Sequence, residues 1–171
     1  MTFPRLFLVL SALVLLPAAS QAQRPMTIVD LISVPVLSDP QLSPDGTSVV
    51  YVQADADWTA NKRVSHLWRA RADGTEAVQL TFGSEGESRP RWSPDGAVLA
   101  FVTKREGAEH AQIHLLPTGG GEARPLTAHA TAVGDPAWSP DGRFVYFLAA
   151  DPKSAEQIAR ADLKGAQARR A

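Results

Sequence analysis

The sequence has no cysteine, which excludes disulfides, thiolate nucleophiles, zinc knuckles and acylated-cysteine anchors. It also lacks any excess of one charge: 17 Lys and Arg face 18 Asp and Glu, a formal net charge of −1. With no clustered basic face, nothing argues for nucleic acid as a partner. Only 4 histidines are present for base or ligand chemistry. The longest apolar run, Leu6 to Leu16, is too short to span a membrane: eleven residues make about 16 Å of helix against a hydrocarbon core of roughly 30 Å. Hydrophobic residues at 44% and charged residues at 20% are ordinary globular usage and leave no room for a disordered or collagen-like chain. A length of 171 residues is enough for one domain. Proline (13) and glycine (12) are frequent, which points to many turns and short strands.

That apolar run follows a weakly positive start whose charge is Arg5, and it precedes Pro17 and Ala18-Ala19-Ser20-Gln21-Ala22. A charged start, an apolar run of this length and a small-x-small site read as a secretory signal peptide over 1–22, cleaved after Ala22. The mature chain is then expected outside the cytoplasm, periplasmic or extracellular, with no membrane span left after cleavage.

The rest of the chain repeats. The tetrapeptide Ser-Pro-Asp-Gly occurs at Ser43, Pro44, Asp45, Gly46, at Ser93, Pro94, Asp95, Gly96 and at Ser139, Pro140, Asp141, Gly142, spaced fifty and forty-six residues apart. Each copy has a proline three residues earlier (Pro40, Pro90, Pro136), an apolar residue directly before it (Leu42, Trp92, Trp138) and an apolar or alternating run after it. A second block stays in phase: His66 to Thr81 aligns without gaps on Gln112 to Thr127, and a third copy starts at Gln157. That third copy meets Ala171 where the others have the leucine of Leu-Thr.

Each unit reads as four short strands. Ser-Pro-Asp-Gly is a type I turn: Pro fixes φ at the second position, Asp tolerates the bridge region and Gly closes the turn. A looser hairpin follows the second strand, at Ala54 to Ser65 in the first unit and Lys104 to Ala111 in the second. A Gly-rich turn (Gly119-Gly120-Gly121) then separates strands three and four. Four strands per 40–50 residues is the period of β-propeller blades. The fold class is therefore all-β: an incomplete propeller of about three four-stranded blades over 38–171, preceded by a short helical segment over 23–37. That segment has a possible cap at Thr27, an acid at Asp30, and apolar Ile28, Leu31 and Ile32 on one face.

The site candidates are few. Trp92 and Trp138 share one repeat position and are expected to pack between blades, whereas Trp58, in the Asp55-Ala56-Asp57-Trp58 hairpin, is unexplained by the repeat and is a candidate partner contact. Asp45, Asp95 and Asp141 would cluster only if turns of different blades converge; otherwise each caps its own turn. His110 and His114 are four apart but no third metal ligand follows, so they read as exposed or edge histidines. His66 occupies a repeat position, and His129 an inter-blade loop without an acid-base partner. The triple glycine lacks the following Lys-Ser/Thr and helix of a phosphate cradle. No catalytic, cofactor-binding or metal residue is assigned and no cofactor is expected, because repeat positions already explain most of the serines and aspartates.

The Trp-Ser-Pro-Asp-Gly turn with a downstream Gly-Gly-Glu-Ala-Arg-x-Leu-Thr resembles the WD-like repeats of TolB-type and peptidase propellers. From Thr27 onward the chain is similar to the start of an exported prolyl oligopeptidase-family serine peptidase of the acylaminoacyl-peptidase-like and dipeptidyl-aminopeptidase-like branch. The resemblance rests on Asp30-Leu31-Ile32, Ser38 to Gly46, Lys62 to Trp68 and Arg91 to Gly96. It implies a propeller that gates peptides toward a Ser-Asp-His triad on an α/β-hydrolase domain, with the region around Thr27 to Ser33 bridging to that domain. The sequence holds no Gly-x-Ser-x-Gly elbow, so no catalytic residue of the family carries over and this chain is expected to be a non-catalytic propeller fragment. The alternative is a TolB-like periplasmic propeller acting as a protein-binding scaffold. Peptide or protein partners are expected in either case. A chain cut inside a blade is also expected to be weakly stable and to self-associate through open strand edges.

Overall fold

The structure is a computed structural model that describes residues 24–154 and Gln157. The signal peptide expected over 1–22 and the third block beyond Gln157 lie outside the described residues. Among the described residues no helix is long and apolar enough to cross a membrane.

Two four-stranded antiparallel sheets and one two-stranded sheet follow each other along the chain. The first blade holds β1 (Val36–Leu42), β2 (Ser48–Asp57), β3 (Lys62–Arg71) and β4 (Val78–Gln79). The second holds β5 (Glu87–Trp92), β6 (Val98–Thr103), β7 (Gln112–Pro117) and β8 (Arg124–Pro125). The third begins with β9 (Val133–Trp138) and β10 (Val145–Ala149). Within each complete blade the strands are neighbours in chain order, the up-and-down pattern of a propeller blade. The hairpin between β2 and β3 is tighter than its composition suggests. The ladder runs from Ser48↔Arg71 to Asp57↔Lys62, so most of the expected loop 54–65 is paired strand and only Trp58 to Asn61 turns.

The Ser-Pro-Asp-Gly turns share one hydrogen-bond scheme. The glycine N–H donates to the serine carbonyl at 2.9 Å in all three. The serine hydroxyl donates to the aspartate of its own turn (2.5, 2.6 and 2.6 Å). It also accepts the N–H of the residue five positions on, Ser48, Val98 or Phe144, at 2.9 Å each. The aspartate then accepts a backbone N–H two residues ahead, from Thr47, Ala97 and Arg143. Each aspartate thus caps its own turn. Glycine is required by its backbone, which lies at φ +72, +72 and +70, where a side chain is strained. A β-carbon at Gly96 would meet Pro44 Cδ at 3.6 Å, and one at Gly142 would meet Pro94 Cδ at 3.6 Å, so consecutive turns lie against one another.

The prolines three residues upstream mark a second repeated device. Two residues oppose one on the partner strand between Ser38 and Gln41, between Ser88 and Arg91, and between Gly134 and Ala137. Each is a β-bulge at an X-Pro pair, where proline has no N–H to give the ladder. The X residues, Asp39, Arg89 and Asp135, have φ of +47, +55 and +51, a left-handed conformation that costs on the order of 1–3 kcal/mol. The bulges aim charged side chains at the neighbouring blade. Arg91 donates to both oxygens of Asp39 at 3.0 and 2.9 Å, and Arg89 pairs with Asp135.

The core lies between blades. Val50, Val52 and Leu67 of the first blade meet Leu99, Phe101 and Leu116 of the second. Ala100, Val102 and Ile113, on the opposite face of the second blade, meet Val133, with Trp138 and Val145 packed alongside. Strand β6 is accordingly buried at every residue but its first, against a simple in-out alternation. Phe101, Leu67, Leu99 and Ile113 are fully buried, each contributing about 1.5–3 kcal/mol. The outer face of β10 stays open: Phe144, Tyr146 and Leu148 are 57%, 62% and 68% exposed.

The turn hydrogen bonds hold the carboxyls of Asp45, Asp95 and Asp141 below the ordinary aspartate range, the serine hydroxyl being the largest cause and a backbone N–H the next. A depressed folded-state pKa gives stability that is complete above the unfolded value of about 3.9 and is lost as pH falls through the folded value. Asp95→Asn is therefore expected to lower the urea midpoint at pH 7 and to flatten its decline below about pH 4. An acid limb as steep as that of the parent would show that the turn carboxylate is not linked to folding.

Candidate functional site

The two tryptophans before the turns act between blades. The indole N–H of Trp92 donates to the Gln41 carbonyl (3.1 Å), and that of Trp138 donates to the Arg91 carbonyl (3.1 Å). Each thus reaches back to the first strand of the preceding blade at the residue beside its own repeat counterpart. Leu42 occupies this position in the first blade and is 60% exposed.

A second inter-blade site was not legible as a motif. Glu87, at the start of β5, has a fully buried side chain. Its Oε2 accepts from Thr81 Oγ1 at 2.8 Å and lies 2.9 Å from His66 Nδ1. Its Oε1 accepts the Gly83 N–H at 3.0 Å, and Arg105 stands 3.8 Å away. Thr81 Oγ1 in turn accepts the Leu67 N–H at 2.9 Å. A buried carboxylate is tolerated when charge-assisted hydrogen bonds replace its water.

One blade later the same backbone is served by a neutral group. Thr127 Oγ1 accepts the Ile113 N–H at 3.0 Å and donates to Gln112 Oε1 at 2.7 Å. That same oxygen accepts the His129 N–H at 2.9 Å, and Gln112 Nε2 donates to the His129 and Thr131 carbonyls. Gln112 is the repeat counterpart of His66, and Val133 that of Glu87. A His-Glu pair in one linker and a lone glutamine in the next thus meet the same two donors. The signal in the sequence was the recurring Leu80-Thr81 and Leu126-Thr127; the acceptor opposite the threonine changes identity and position, so it left no repeat.

His114 is not an edge residue: it is buried at 6% exposure and lies 6.0 Å from the Phe101 ring. Burial is the largest cause holding its pKa below the ordinary histidine value. His110 pairs loosely with Glu109 at 3.6 Å, so the two histidines face different surroundings. Among the described residues no group of three or more His, Asp or Glu is placed to hold a metal. His129 Nδ1 accepts the Thr131 N–H at 3.2 Å, while Thr131 Oγ1 donates to the Ala150 carbonyl at 2.6 Å. That hydroxyl is spent on backbone, and the turn serines are spent on their own aspartates, so neither arrangement has the nucleophile-base-orienter geometry of a hydrolytic site.

Trp58 is 57% exposed at the tip of the β2–β3 hairpin. Next to it lies α1 (Ile28–Ser33), which starts in a capping box between Thr27 and Asp30. Arg63 of β3 ties down the end of α1, donating to the Ile32 carbonyl at 2.7 Å and the Val34 carbonyl at 3.2 Å. Ile32 and Trp58 share the lining of a cavity of 240 Å³. The helix buries none of its residues: Ile28, Val29 and Leu31 are 77%, 59% and 62% exposed. Helix and hairpin tip form an exposed apolar surface beside the first blade.

A family model described as the TolB beta propeller domain matches residues 19–171. The uncharacterized peptidase YuxL of Bacillus subtilis is 38% identical over 99 residues, 58% of this chain and 15% of that protein. Dipeptidyl-peptidase 5 of Porphyromonas gingivalis is 33% identical over 72 residues, 42% of this chain and 10% of that protein. The chain therefore spans a minor part of the length of these relatives. Among solved structures, the acylaminoacyl peptidase of Pyrococcus horikoshii superposes with a TM-score of 0.52 at 27% identity, covering 65% of this chain and 16% of that one.

The exchange of acceptors between linkers can be tested. Glu87→Ala strands three donors in a buried place and is expected to cost about 3 kcal/mol. The double variant His66→Gln with Glu87→Val, which copies the second linker, is expected to lose at least about 1 kcal/mol less than the sum of its two single variants. Strict additivity in urea denaturation would show that the two linkers are not interchangeable solutions.

Proposed function

The chain belongs to the TolB β-propeller domain family, and we propose that it is the propeller part of an exported prolyl oligopeptidase-family serine peptidase, its triad carried on an α/β-hydrolase domain outside these 171 residues. The observation that carries the reading is the 38% identity to a peptidase, YuxL, over 99 residues, supported by the match to dipeptidyl-peptidase 5. In this role the chain is non-catalytic. It gates peptides on their way to the triad, and the hydroxyls and carboxylates described above serve the scaffold. No cofactor is needed, since the reaction is acyl transfer through a serine.

The proposed organisation is a signal peptide over 1–22, cleaved after Ala22 on export to the periplasm or beyond, a helical segment over 23–37 and propeller blades over 38–171. The apolar surface of α1 with Trp58 is the proposed seat of the hydrolase domain. It is tied to the first blade by Arg63 and leaves Ile28, Val29 and Leu31 uncovered. The open face of β10, with Phe144, Tyr146 and Leu148, is where a further blade would continue the core; uncovered, it favours self-association.

The test reads the coding sequence after the codon for Ala171 and assays two proteins, the 171-residue chain and the product of the longer frame, on chromogenic dipeptide and acylaminoacyl substrates. The expected result is a Gly-x-Ser-x-Gly elbow downstream, hydrolysis by the long protein and none by the chain alone. Further blades without an elbow would make the protein a binding scaffold of the TolB kind. Hydrolysis by the chain alone would overturn the reading outright.

A further inference from the structure

The crevice between the first two blades holds a cavity of 260 Å³. Its apolar lining comes from Leu80, Leu99, Leu116 and the Trp92 ring, and the Gly119 to Gly121 turn forms its lip. The space exceeds the roughly 150 Å³ that admits benzene into an apolar protein cavity. It shares the lining residues Leu80, Leu116 and Gly121 with a neighbouring cavity of 470 Å³. One charged group lines the smaller cavity: Arg69 of β3.

Arg69 is half-buried, and the one hydrogen bond of its guanidinium among the described residues is from Nη1 to the Thr118 carbonyl, at 3.3 Å. Among the described residues no carboxylate lies within ion-pair distance of it; Asp45 and Asp95 line a neighbouring cavity that Arg69 also borders, but both are hydrogen-bonded within their own turns. A guanidinium carries five donors in a planar fork that fits a carboxylate with two parallel bonds. Drawn half out of water without a partner, such a cation favours an anion that brings its own apolar body into the crevice.

The repeat does not account for this arginine. Its counterpart in the second blade is Leu115, which packs against the core between the second and third blades. The first crevice therefore has an unpaired cation where the second has one more leucine. We propose that the crevice between the first two blades binds a monocarboxylate attached to an apolar group of aryl or branched-alkyl size, with Arg69 holding the carboxylate and Leu80, Leu99, Leu116 and Trp92 holding the apolar group. A single guanidinium above an aliphatic floor suits a monoanion better than a phosphate, which needs more than one donor group. The ligand is either a free organic acid or the C-terminal residue of a peptide. The site stands whether or not the chain is part of a peptidase.

The experiment follows the 19F signal of 4-fluorophenylacetate titrated with the full chain, a readout that broadens on binding even if the chain self-associates. 4-Fluorobenzyl alcohol, similar in shape but uncharged, is the control. Acetyl-glycyl-4-fluorophenylalanine, as free acid and as amide, is the peptide arm. The acid is expected to bind at least about tenfold tighter than the alcohol, and Arg69→Leu, the residue found at the equivalent position, is expected to remove that advantage. The alcohol should keep its weak binding to Arg69→Leu, which shows the cavity intact. Tighter binding of the peptide acid than of the free acid assigns the site to peptide C-termini, and the reverse assigns it to free acids. Equal binding of acid and alcohol by the unaltered chain, a comparison that needs no variant, would overturn the proposal. So would undiminished acid binding by a folded Arg69→Leu.

Discussion

A four-stranded sheet with edge strands as short as β4 and β8 has two faces and no interior of its own. Everything that holds this chain together follows from the need to cover those faces with another copy of the same unit. The second blade shows the completed case. Leu99, Phe101 and Leu116 go to one neighbour and Ala100, Val102 and Ile113 to the other, so β6 loses its polar side altogether. The tryptophans add direction to the contact. Each indole N–H reaches back to a carbonyl on the first strand of the previous blade, fixing both spacing and rotation between sheets that hydrophobic contact alone would leave free to slide. The bulged Asp39–Arg91 and Arg89–Asp135 pairs repeat the same link one to three residues away, along the first strands of the blades.

The two linkers between blades show how much of such a repeat is chemistry and how much is residue identity. What must be satisfied is fixed: a threonine hydroxyl that replaces a ladder bond to strand three, and a backbone N–H two residues beyond it. What satisfies it is not. In one linker it is a buried carboxylate reaching from the next blade, helped by His66; in the other it is the amide of Gln112 reaching from the same blade. Both leave few unpaired polar atoms, which is the condition that matters in a low-dielectric interior.

This difference explains what could be read from the sequence. Turns, blade order and the inter-blade position of Trp92 and Trp138 are carried by residues that recur with the period, because each does its work within its own blade or against the adjacent one. Thr27, Asp30 and the short helix are local and equally legible. Glu87 was invisible, since its counterpart is Val133 and its partners lie 4 to 21 residues away, in β3 and in the linker between the blades. The bulges were half visible: the prolines stood out, but the left-handed residues before them, one of them an arginine, follow from pairing that no local pattern encodes. His114 looked like an edge residue because a single strand cannot show which of its faces a second blade will cover.

The same logic separates scaffold from function. A residue present at every repeat is accounted for by the repeat, however reactive its side chain: the turn serines and aspartates use their hydrogen bonds on one another and on backbone. Function is then left to positions where a blade departs from its neighbours. The first blade departs most. It carries Trp58 on a longer hairpin, an arginine at position 69 where the second has a leucine, and a preceding helix held by Arg63 with its apolar side chains uncovered. These departures lie on the crevice and on the flank, beside the positions at which the blades hold each other. On the flank a binding surface can change without disturbing the contacts that keep consecutive blades in register, whereas in the crevice Leu99, Leu116 and Trp92 serve both the inter-blade core and the lining, so that change there is left to Arg69.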